Sequence, residues 1–525
     1  MTEHQIHQRG RMAIVSFALL GGALLGLLAS PAGAATSAVA STEKTPAASC
    51  AALASAAFPD TRITTAEAIP GGSRWKFPHS VFNVMAGPDP GTEAAFCRVA
   101  GIIGKEIRFE VWLPPQWNGR LLNVGNGGLT GAINYPAMAA ALASGFATGS
   151  TDTGHVTDKD FFEADWIDGN PERIDNFTYL AHHRLAETSK RVVKAYYGKP
   201  EHHAYYSGCS SGGWQGLTEA QKFPDDYHGI IAGAPANNLV RLQTRKFWMD
   251  RLDREDPAGM LGKEQVELIT TSARAACDHA DGIADGLAME PLACPFKPAD
   301  LICKEGNSTG CLTPPQAARA AQVYGPARSP GGLELYPGNA LFVPPLVVLP
   351  GAMQEPALLR IFPAPERTWT PETFDTDRDL PALRQRLDDK MAALKTDLTP
   401  FAKRGGKLLM YHGWHDALLS PYNTLAYRAG MSEAMAPEHF AGFQRLYMMP
   451  GVDHCAGGIG PDRADFIGAM VTWVEEGKAP ETLLATGRRP DGTTQARPLC
   501  PFPQVARHSG QGATDDANHW RCVNP

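Results

Sequence analysis

Short apolar runs alternate with longer segments of helical pattern over residues 100–240 of this chain. The apolar runs predict strands because they are brief and end at turn-forming residues; they are "RLLNVGNGG", "FATGSTDTGH", "HHAYYSG" and "GIIAGAPAN". The segments between them predict helices; they are "YPAMAAALASG", "NFTYLAHHRLAETSKRVVKAYYG" and "GGWQGLTEAQKF". This alternation predicts an α/β fold, with a mostly parallel sheet covered by helices on both faces.

The alternation stops at about residue 241 and resumes after residue 400. The intervening residues are richer in proline, charge and cysteine, and their strand signals are weak. The chain then continues with "GGKLLMYHGWHDALLSP", "FQRLYMMPGVDHC" and the helical pattern "DFIGAMVTWVEEG". We interpret residues 241–400 as a lid inserted into an α/β core formed by residues 35–240 and 401–525. Such a lid would cover the sheet edge at which open α/β folds bind ligands.

Residues 1–34 have the pattern of a secretory signal peptide. Arg9 and Arg11 precede the apolar run "MAIVSFALLGGALLGLLAS", and Ala32-Gly33-Ala34 fits a cleavage site. A membrane anchor is the alternative, but small residues and a cleavage site follow the run. The prediction is a secreted or periplasmic protein that is cleaved after Ala34 and has no membrane attachment afterwards.

Composition and charge narrow the class of partner. The 525 residues are 43% hydrophobic and 20% charged, as in a soluble globular protein. The net charge is −7 and there is no long basic run. This balance argues against nucleic acid and anionic membrane surfaces as general partners.

The ten cysteines are even in number, and an exported chain meets an oxidising compartment, so we expect five disulfides. Their order along the chain suggests four pairs: Cys50–Cys97, Cys277–Cys294, Cys303–Cys311 and Cys500–Cys522. Cys209 and Cys455 are left over, far apart in sequence. Spacing alone leaves every one of these pairings open.

Residues 208–212 match the pattern G-x-S-x-G, with Ser210 at its centre. The pattern is meaningful between a strand and a helix, where it can hold a catalytic serine on a sharp turn. Gly208, Gly212 and Gly213 would allow that turn, although a chance match is the alternative in a chain with 53 glycines. A serine hydroxyl is a poor nucleophile at neutral pH, so it requires a base, an orienting acid and oxyanion donors.

Candidates for the acid and the base follow the two strand patterns that come after the insertion. Asp416 follows the first and His454 follows the second, in the chain order Ser, Asp, His that is typical of α/β hydrolases. The alternatives for these roles are neighbouring side chains: His412, His415 and Asp453. Asp416 could otherwise be a capping residue, and His454 a surface histidine.

Taken together, "GCSSGG", "HGWHD" and "DHC" resemble the tannase and feruloyl esterase family of α/β hydrolases, which also includes mono(2-hydroxyethyl) terephthalate hydrolase. The resemblance extends over essentially the whole mature chain, including its ten cysteines. It implies carboxylic-ester hydrolysis through an acyl-serine, with Ser210, Asp416 and His454 as the triad. It also implies a Cys209–Cys455 disulfide that joins the two catalytic segments.

The fold implied by the resemblance needs two backbone N–H donors for the oxyanion. One would be that of Ser211, and the other would come from "VGNGGLTG", with Gly128 favoured and Gly127 its neighbouring alternative. An ordinary tight turn is the competing interpretation. A phosphate-binding loop is disfavoured, because the loop lacks the lysine of G-x-x-x-x-G-K-[ST].

A turn-rich acidic loop between Cys277 and Cys294 offers carboxylates of the kind that Ca²⁺ binds: Asp278, Asp281 and Asp285. The loop does not match an EF-hand, and a solvated acidic turn that caps a helix is the alternative. The family resemblance implies a structural calcium ion here. It adds backbone oxygens of Ile283 and Leu287 to the ligands.

Two histidine pairs, "HHR" near residue 182 and "EHH" near residue 201, could suggest a transition metal. Neither comes with carboxylates at a convincing spacing, so we interpret them as a helical surface and the start of a strand.

The resemblance implies aromatic acyl esters, of feruloyl, other hydroxycinnamoyl or galloyl type, as substrates. Aromatic residues of the predicted lid could stack on such a group or form its core; they are Phe247, Trp248, Tyr324, Tyr336, Phe342 and Trp369. Terephthalate monoesters and other synthetic or aliphatic esters are the alternative substrates. A serine peptidase, a polyester-degrading enzyme and a non-catalytic binding module of the same fold are the alternative functions.

Overall fold

A nine-stranded sheet forms the centre of the structure, a computed structural model. Its strands are β1 (Thr61–Ile69), β2 (Phe96–Ile103), β3 (Ile107–Leu113), β4 (Arg120–Val124), β5 (Ala147–Thr151), β6 (His203–Cys209), β7 (Gly229–Gly233), β8 (Lys407–Gly413) and β9 (Gln444–Met449). They lie in the order β1-β2-β3-β5-β4-β6-β7-β8-β9. The six strands β4 to β9 are parallel to one another, and β1, β2 and β3 are added in antiparallel fashion at one edge.

The described residues are 50–157, 161–163, 165–167, 170–279, 281–344, 373–489 and 491–525. The predicted signal peptide, residues 1–34, lies outside them, as does Trp369 of the predicted lid. No helix within the described ranges is both long enough and apolar enough to span a membrane.

Helices cover both faces of the sheet. Within the described residues the α-helices are α1 (Tyr135–Ala143), α2 (Pro171–Asp175), α3 (Ala181–Tyr197), α4 (Ser211–Lys222), α5 (Leu239–Glu255), α6 (Lys263–Cys277), α7 (Pro314–Tyr324), α8 (Thr376–Met391), α9 (Thr399–Lys403), α10 (Pro421–Ala434), α11 (Pro437–Phe443) and α12 (Phe466–Glu476). A π-helical turn, Asn176–Leu180, leads into α3. The α/β class predicted from the sequence is confirmed.

Alternation of buried side chains along the strands creates two apolar layers, because successive strand residues point to opposite faces. On β4, Leu121 belongs to one layer and Leu122 to the other, and Tyr206 and Tyr205 of β6 divide in the same way. Helices α3 and α4 contribute apolar side chains to the first layer, whereas α1 and α12 contribute to the second. Two buried layers explain why β4, β6 and β7 appear as nearly continuous apolar runs.

The segment interpreted as a lid leaves the sheet after β7 and returns at β8, although these two strands are direct neighbours. Its described part holds α5 to α8 and one short ribbon, Ala327–Arg328 with Glu334–Tyr336. Helix α5 begins at Leu239, so the predicted boundary at residue 240 falls within that helix. The division into core and lid stays a prediction.

Further short strands lie outside the large sheet. Arg463–Ala464, Leu483–Arg488 and Thr494–Leu499 form a three-stranded sheet, and the ribbons are Trp75–Lys76 with Gly91–Thr92 and Val505–His508 with Trp520–Val523. All five expected disulfides are present: Cys50–Cys97, Cys209–Cys455, Cys277–Cys294, Cys303–Cys311 and Cys500–Cys522.

Candidate active site

Ser210 occupies a sharp turn between β6 and α4. Its φ of 64° and ψ of −122° lie in a region that non-glycine residues rarely adopt. Its backbone is held on both sides, because its N–H donates to the carbonyl oxygen of Gly233 at 3.0 Å and its own carbonyl accepts from Ala236 at 3.1 Å. A strained serine at the end of a parallel strand is the geometry in which the side chain projects above the sheet edge.

Close backbone packing explains the glycines around Ser210. A Cβ atom at Gly208 would lie 2.6 Å from the carbonyl oxygen of Gly212, and one at Gly212 would lie 2.7 Å from that of Asn126. At Gly213 it would fall inside contact distance of the Gly233 carbonyl oxygen. Side chains at these positions would push the start of α4 away from the strands. The pattern G-x-S-x-G here therefore reflects a packing requirement.

The loops after β8 and β9 bring Asp416 and His454 together. The strands are paired through Gly413 and Met449, and the N–H of Trp414 continues the pairing by donating to the Met449 carbonyl at 2.9 Å. His454 Nδ1 then donates to Asp416 Oδ2 at 2.6 Å. The structure thus brings together the acid and the base that the sequence favours.

Asp416 is fully buried, and each of its carboxylate oxygens has partners. Oδ1 accepts from the N–H groups of Leu418 and Leu419, both at 2.8 Å. Burial alone would raise the pKa of Asp416, but the charge of His454 and hydrogen bonds from His412 and His454 outweigh it and hold the pKa below its usual range. An ionised carboxylate is therefore available to orient His454.

His412, a rival for the catalytic roles in the sequence, instead supports Asp416. Its Nε2 lies 3.0 Å from Asp416 Oδ2 and 3.2 Å from the carbonyl oxygen of Leu419, so this nitrogen carries the proton. Nδ1 then accepts from Thr424 Oγ1 at 2.7 Å. His412 therefore holds the same Asp416 oxygen that His454 contacts. Asp453 is exposed and has no described contact with His454.

The Cys209–Cys455 disulfide links the serine turn to the histidine loop. The two Cα atoms are 6.0 Å apart, and Ser210 and His454 are the immediate neighbours of the two cysteines. Cys455 has a φ of 66°, so the histidine loop, like the serine turn, is held in an uncommon conformation. The bond restricts how far His454 can move from Ser210.

The two proposed oxyanion donors lie in backbone segments that contact each other. Ser211 Oγ donates to the carbonyl oxygen of Gly128 at 2.6 Å. Among the described residues, neither the N–H of Ser211 nor that of Gly128 donates to another group. Gly128 has a φ of 56°, and a Cβ there would overlap the carbonyl group of Phe161, so glycine is required.

Sequence reasoning missed Asn126, which fixes the glycine loop. Its Nδ2 donates to the carbonyl oxygens of Ala132 at 2.9 Å and Thr151 at 3.0 Å, and its N–H donates to Gln215 Oε1 at 3.0 Å. Its Oδ1 accepts from His182 Nε2 at 2.9 Å. The asparagine of "VGNGG" was visible in the sequence, but its partners lie up to 89 positions away.

Two buried histidines brace the same loop. Burial lowers the pKa of His182 to about 3 and that of His155 to about 3, so both are neutral at pH 7. His155 donates from Nε2 to the carbonyl oxygen of Leu129 at 2.9 Å and stacks on Trp166 with ring centroids 3.7 Å apart. The interpretation of "HHR" as a helical surface is wrong for His182, which is buried against Asn126.

The acidic loop has features that fit a cation. Asp281 is buried, its Oδ2 has no hydrogen-bond partner among the described residues, and burial raises its pKa to about 7 with help from Asp285 and Asp278. Asp278 Oδ1 accepts from Gly286, and Asp285 forms an ion pair with buried Arg497 at 2.6 Å. An orphaned buried carboxylate oxygen among carboxylates is a place where Ca²⁺ would offset the repulsion.

The aromatic residues of the predicted lid that the structure describes are buried, so they belong to the protein core; they are Phe247, Trp248, Tyr324, Tyr336 and Phe342. For these five residues the structure favours the core interpretation over an exposed stacking surface.

A sequence model of the family described as "Tannase and feruloyl esterase" matches residues 93–344 and 367–523. An "uncharacterized esterase" of Xanthomonas campestris is 32% identical, with 91% of each chain covered. A "probable feruloyl esterase B-2" of Aspergillus terreus is also 32% identical, over 89% of this chain and 93% of its own.

Solved structures share the fold. The crystal structure of feruloyl esterase B from Aspergillus oryzae superposes with a TM-score of 0.81 at 28% identity, over 91% of this chain and all of the other. Tannin acyl hydrolase from Aspergillus niger gives a TM-score of 0.72 at 21% identity, over 90% of this chain and 93% of its own. At this low identity, the similarity to tannin acyl hydrolase shows only that the two proteins share a fold.

Proposed function

Because this chain belongs to the tannase and feruloyl esterase family, and is therefore a carboxylic ester hydrolase, we propose that it cleaves aromatic acyl esters through an acyl intermediate on Ser210. The serine mechanism rests on the fact that Ser210, Asp416 and His454 are linked to one another. Asp416 is bonded to His454 at 2.6 Å, and the Cys209–Cys455 disulfide joins the segments of His454 and Ser210.

In the first half of the reaction, Ser210 Oγ attacks the ester carbonyl and its proton passes to His454 Nε2. Nε2 is the nitrogen free for this transfer, because Nδ1–H is committed to Asp416. The ionised Asp416 orients the ring and stabilises the imidazolium without taking up the proton. The alcohol leaves with the proton that His454 returns, and the acyl group stays on Ser210.

In the second half, water attacks the acyl carbonyl while His454 removes its proton. The carboxylic acid is released and Ser210 recovers its hydrogen from His454. In both halves the negative charge on the carbonyl oxygen would be met by the N–H groups of Ser211 and Gly128. Each such donor contributes on the order of 10²- to 10³-fold in rate.

The aromatic acyl group is proposed from the relatives. Two of these relatives are named feruloyl esterases and one is named a tannin acyl hydrolase. The names indicate that those proteins cleave feruloyl and tannin acyl esters. Export to the periplasm or the extracellular space is proposed from the five disulfides and the predicted signal peptide at residues 1–34. A structural calcium ion held by Asp278, Asp281 and Asp285, with backbone oxygens of Ile283 and Leu287, completes the proposal; it takes no part in the chemistry.

A product assay tests the proposal. Purified protein is incubated with methyl ferulate, methyl gallate, chlorogenate and a terephthalate monoester, and the released acids are quantified. We expect the highest kcat/KM on a hydroxycinnamoyl or galloyl ester. The Ser210→Ala variant should lose at least about 10⁴-fold in kcat.

Ser144→Ala is the matched control, because Ser144 is an exposed serine at the end of α1. It should retain wild-type rates on every ester. A preference for the terephthalate monoester would overturn the proposed substrate, and equal activity of Ser210→Ala and Ser144→Ala would overturn the serine mechanism.

A further inference from the structure

A second cluster of polar side chains lies at the far end of α4 from Ser210. It consists of His183 on α3, Glu219 on α4 and Asp226 on the loop that follows α4. One nitrogen or oxygen from each of the three side chains lies within 4.8 Å of the other two. From the spacing along the sequence, we interpret "HHR" as having no carboxylates beside it. For His183 this interpretation is wrong, because Glu219 and Asp226 lie beside it in the fold.

The two carboxylates are buried with too few hydrogen bonds or ion pairs to offset the cost of removing their charges from water. Glu219 is 1% exposed and Asp226 is 7% exposed. Glu219 Oε2 has no hydrogen-bond partner among the described residues, although it belongs to a charged side chain in the protein interior. Buried carboxylates that face each other require a positive charge or a proton between them.

Lys190 on α3 acts on Glu219 by its charge, but this effect is weaker than the burial and the neighbouring Asp226 that together raise the pKa of Glu219. Lys190 lies over the ring of Tyr227, with Nζ 5.9 Å from the ring centroid, and forms no ion pair within the described part of the chain. His183 Nδ1 contacts Asp226 Oδ2 at 2.6 Å, but within the described residues no basic side chain forms an ion pair with Glu219.

The histidine is fixed in position and open to solvent on one side. Its ring stacks on Phe223 with centroids 3.9 Å apart and planes at 8°, while its side chain is 27% exposed. The ring therefore presents Nδ1 to Asp226, and the exposed part of its side chain leaves the cluster accessible to solvent. A metal ion here would have three protein ligands.

We propose that His183, Glu219 and Asp226 bind one divalent transition-metal ion, with zinc as the best match. One imidazole nitrogen and two carboxylate oxygens are common zinc ligands, and zinc accepts three protein ligands plus water. The ion would tie α3 to α4, the helix that begins at the Ser210 turn. It would act on stability and take no part in ester cleavage.

Zinc binding to tag-free protein tests the proposal, with calorimetry for stoichiometry and thermal unfolding as a second readout. We expect saturable binding of one zinc ion per chain and a rise in Tm. No thiol competes, because all ten cysteines are in disulfides. His183→Gln and Asp226→Asn should each weaken zinc binding at least tenfold.

Two controls separate this site from others. His439→Gln changes a partly exposed histidine on α11, and Asp281→Asn changes the proposed calcium loop. Both variants should bind zinc as the wild type does. Absence of binding in the folded wild type, or equal binding by His183→Gln and wild type, would overturn the proposal and leave a shared proton as the neutralising charge. Circular dichroism confirms that each variant is folded.

Discussion

At the scale of single residues, Asp416 is the most constrained group of the candidate site. Both of its oxygens are bonded, and its two histidine partners approach the same oxygen, Oδ2. Sequence position identified Asp416 and His454, because each follows a parallel strand and neighbouring strands end at the same sheet edge. The role of His412 could not be read in the same way, since it depends on the direction of one side chain.

The contact between His412 and Asp416 predicts a positioning role. His412→Phe should lower kcat by about 10- to 100-fold with little change in KM, because Asp416 loses one donor but substrate contacts stay. The acidic limb of the pH–rate profile, on which a histidine base gains its proton, should also shift because Asp416 is held less firmly. His412→Gln keeps an N–H donor and should recover part of the rate. A His412→Phe enzyme with wild-type kcat and pH profile would refute the role.

Burial of His182 predicts a pH-dependent contribution to stability. Its pKa is about 3 in the folded protein and about 6.5 when unfolded, so between these values the unfolded state binds more protons. Stability is therefore lost as pH falls from 6.5 toward 3. Between pH 7 and pH 5 the wild type should lose about 2 kcal/mol more unfolding free energy than His182→Gln.

Urea unfolding of both proteins at the two pH values measures this difference. His202→Gln, at an exposed histidine, should follow the wild type. If His182→Gln and wild type lose the same free energy on acidification, then His182 is not held neutral by burial.

At the scale of elements, the sequence predicted strands β4 to β9 and helices α1, α3, α4 and α12, because their apolar patterns are strong. The antiparallel strands β1, β2 and β3 escaped prediction, although β2 and β3 are largely buried and only β1 lies at the sheet edge. Strand β1, "TRITTAEAI", has no two consecutive buried residues, so its pattern resembles that of a polar loop. Edge strands that face solvent carry less apolar signal than central parallel strands.

The disulfide between the serine turn and the histidine loop predicts an effect on catalysis beyond its effect on stability. The double variant Cys209→Ser/Cys455→Ser should lose about 100-fold in kcat, because small displacements of a base from its nucleophile are costly. The variant Cys303→Ser/Cys311→Ser breaks a bridge elsewhere and is the control. Activity and thermal unfolding of both variants are compared. Equal kcat in the two would mean that the first bridge is structural alone.

At the scale of the whole molecule, the acidic loop connects the inserted segment to the end of the chain. Asp285 pairs with Arg497, whose guanidinium lies 4.4 Å from the ring centroid of Trp520. Leu287 shares a small apolar cluster with Trp520 and Cys500. The sequence predicted the carboxylates of this loop, but the partners more than 200 positions away required the fold.

This cross-connection predicts that calcium stabilises the whole protein. Removing calcium with a chelator should lower Tm by about 5 °C, and added calcium should restore it, because a bound ion stabilises the folded state. Asp281→Asn should show a low Tm that calcium does not raise. Asp515→Asn, at an exposed aspartate, should respond as the wild type does. If elemental analysis finds no calcium in folded, active protein, the prediction is wrong.

The most direct test of the central claim is detection of the acyl intermediate. Protein mixed with an activated feruloyl ester is quenched in acid within the first turnover, and intact mass and peptide mapping locate any adduct. We predict one feruloyl group per chain, attached to Ser210, and none on Ser210→Ala. Ester hydrolysis by the wild type with no adduct on Ser210, together with hydrolysis by Ser210→Ala at the same rate, would contradict the account.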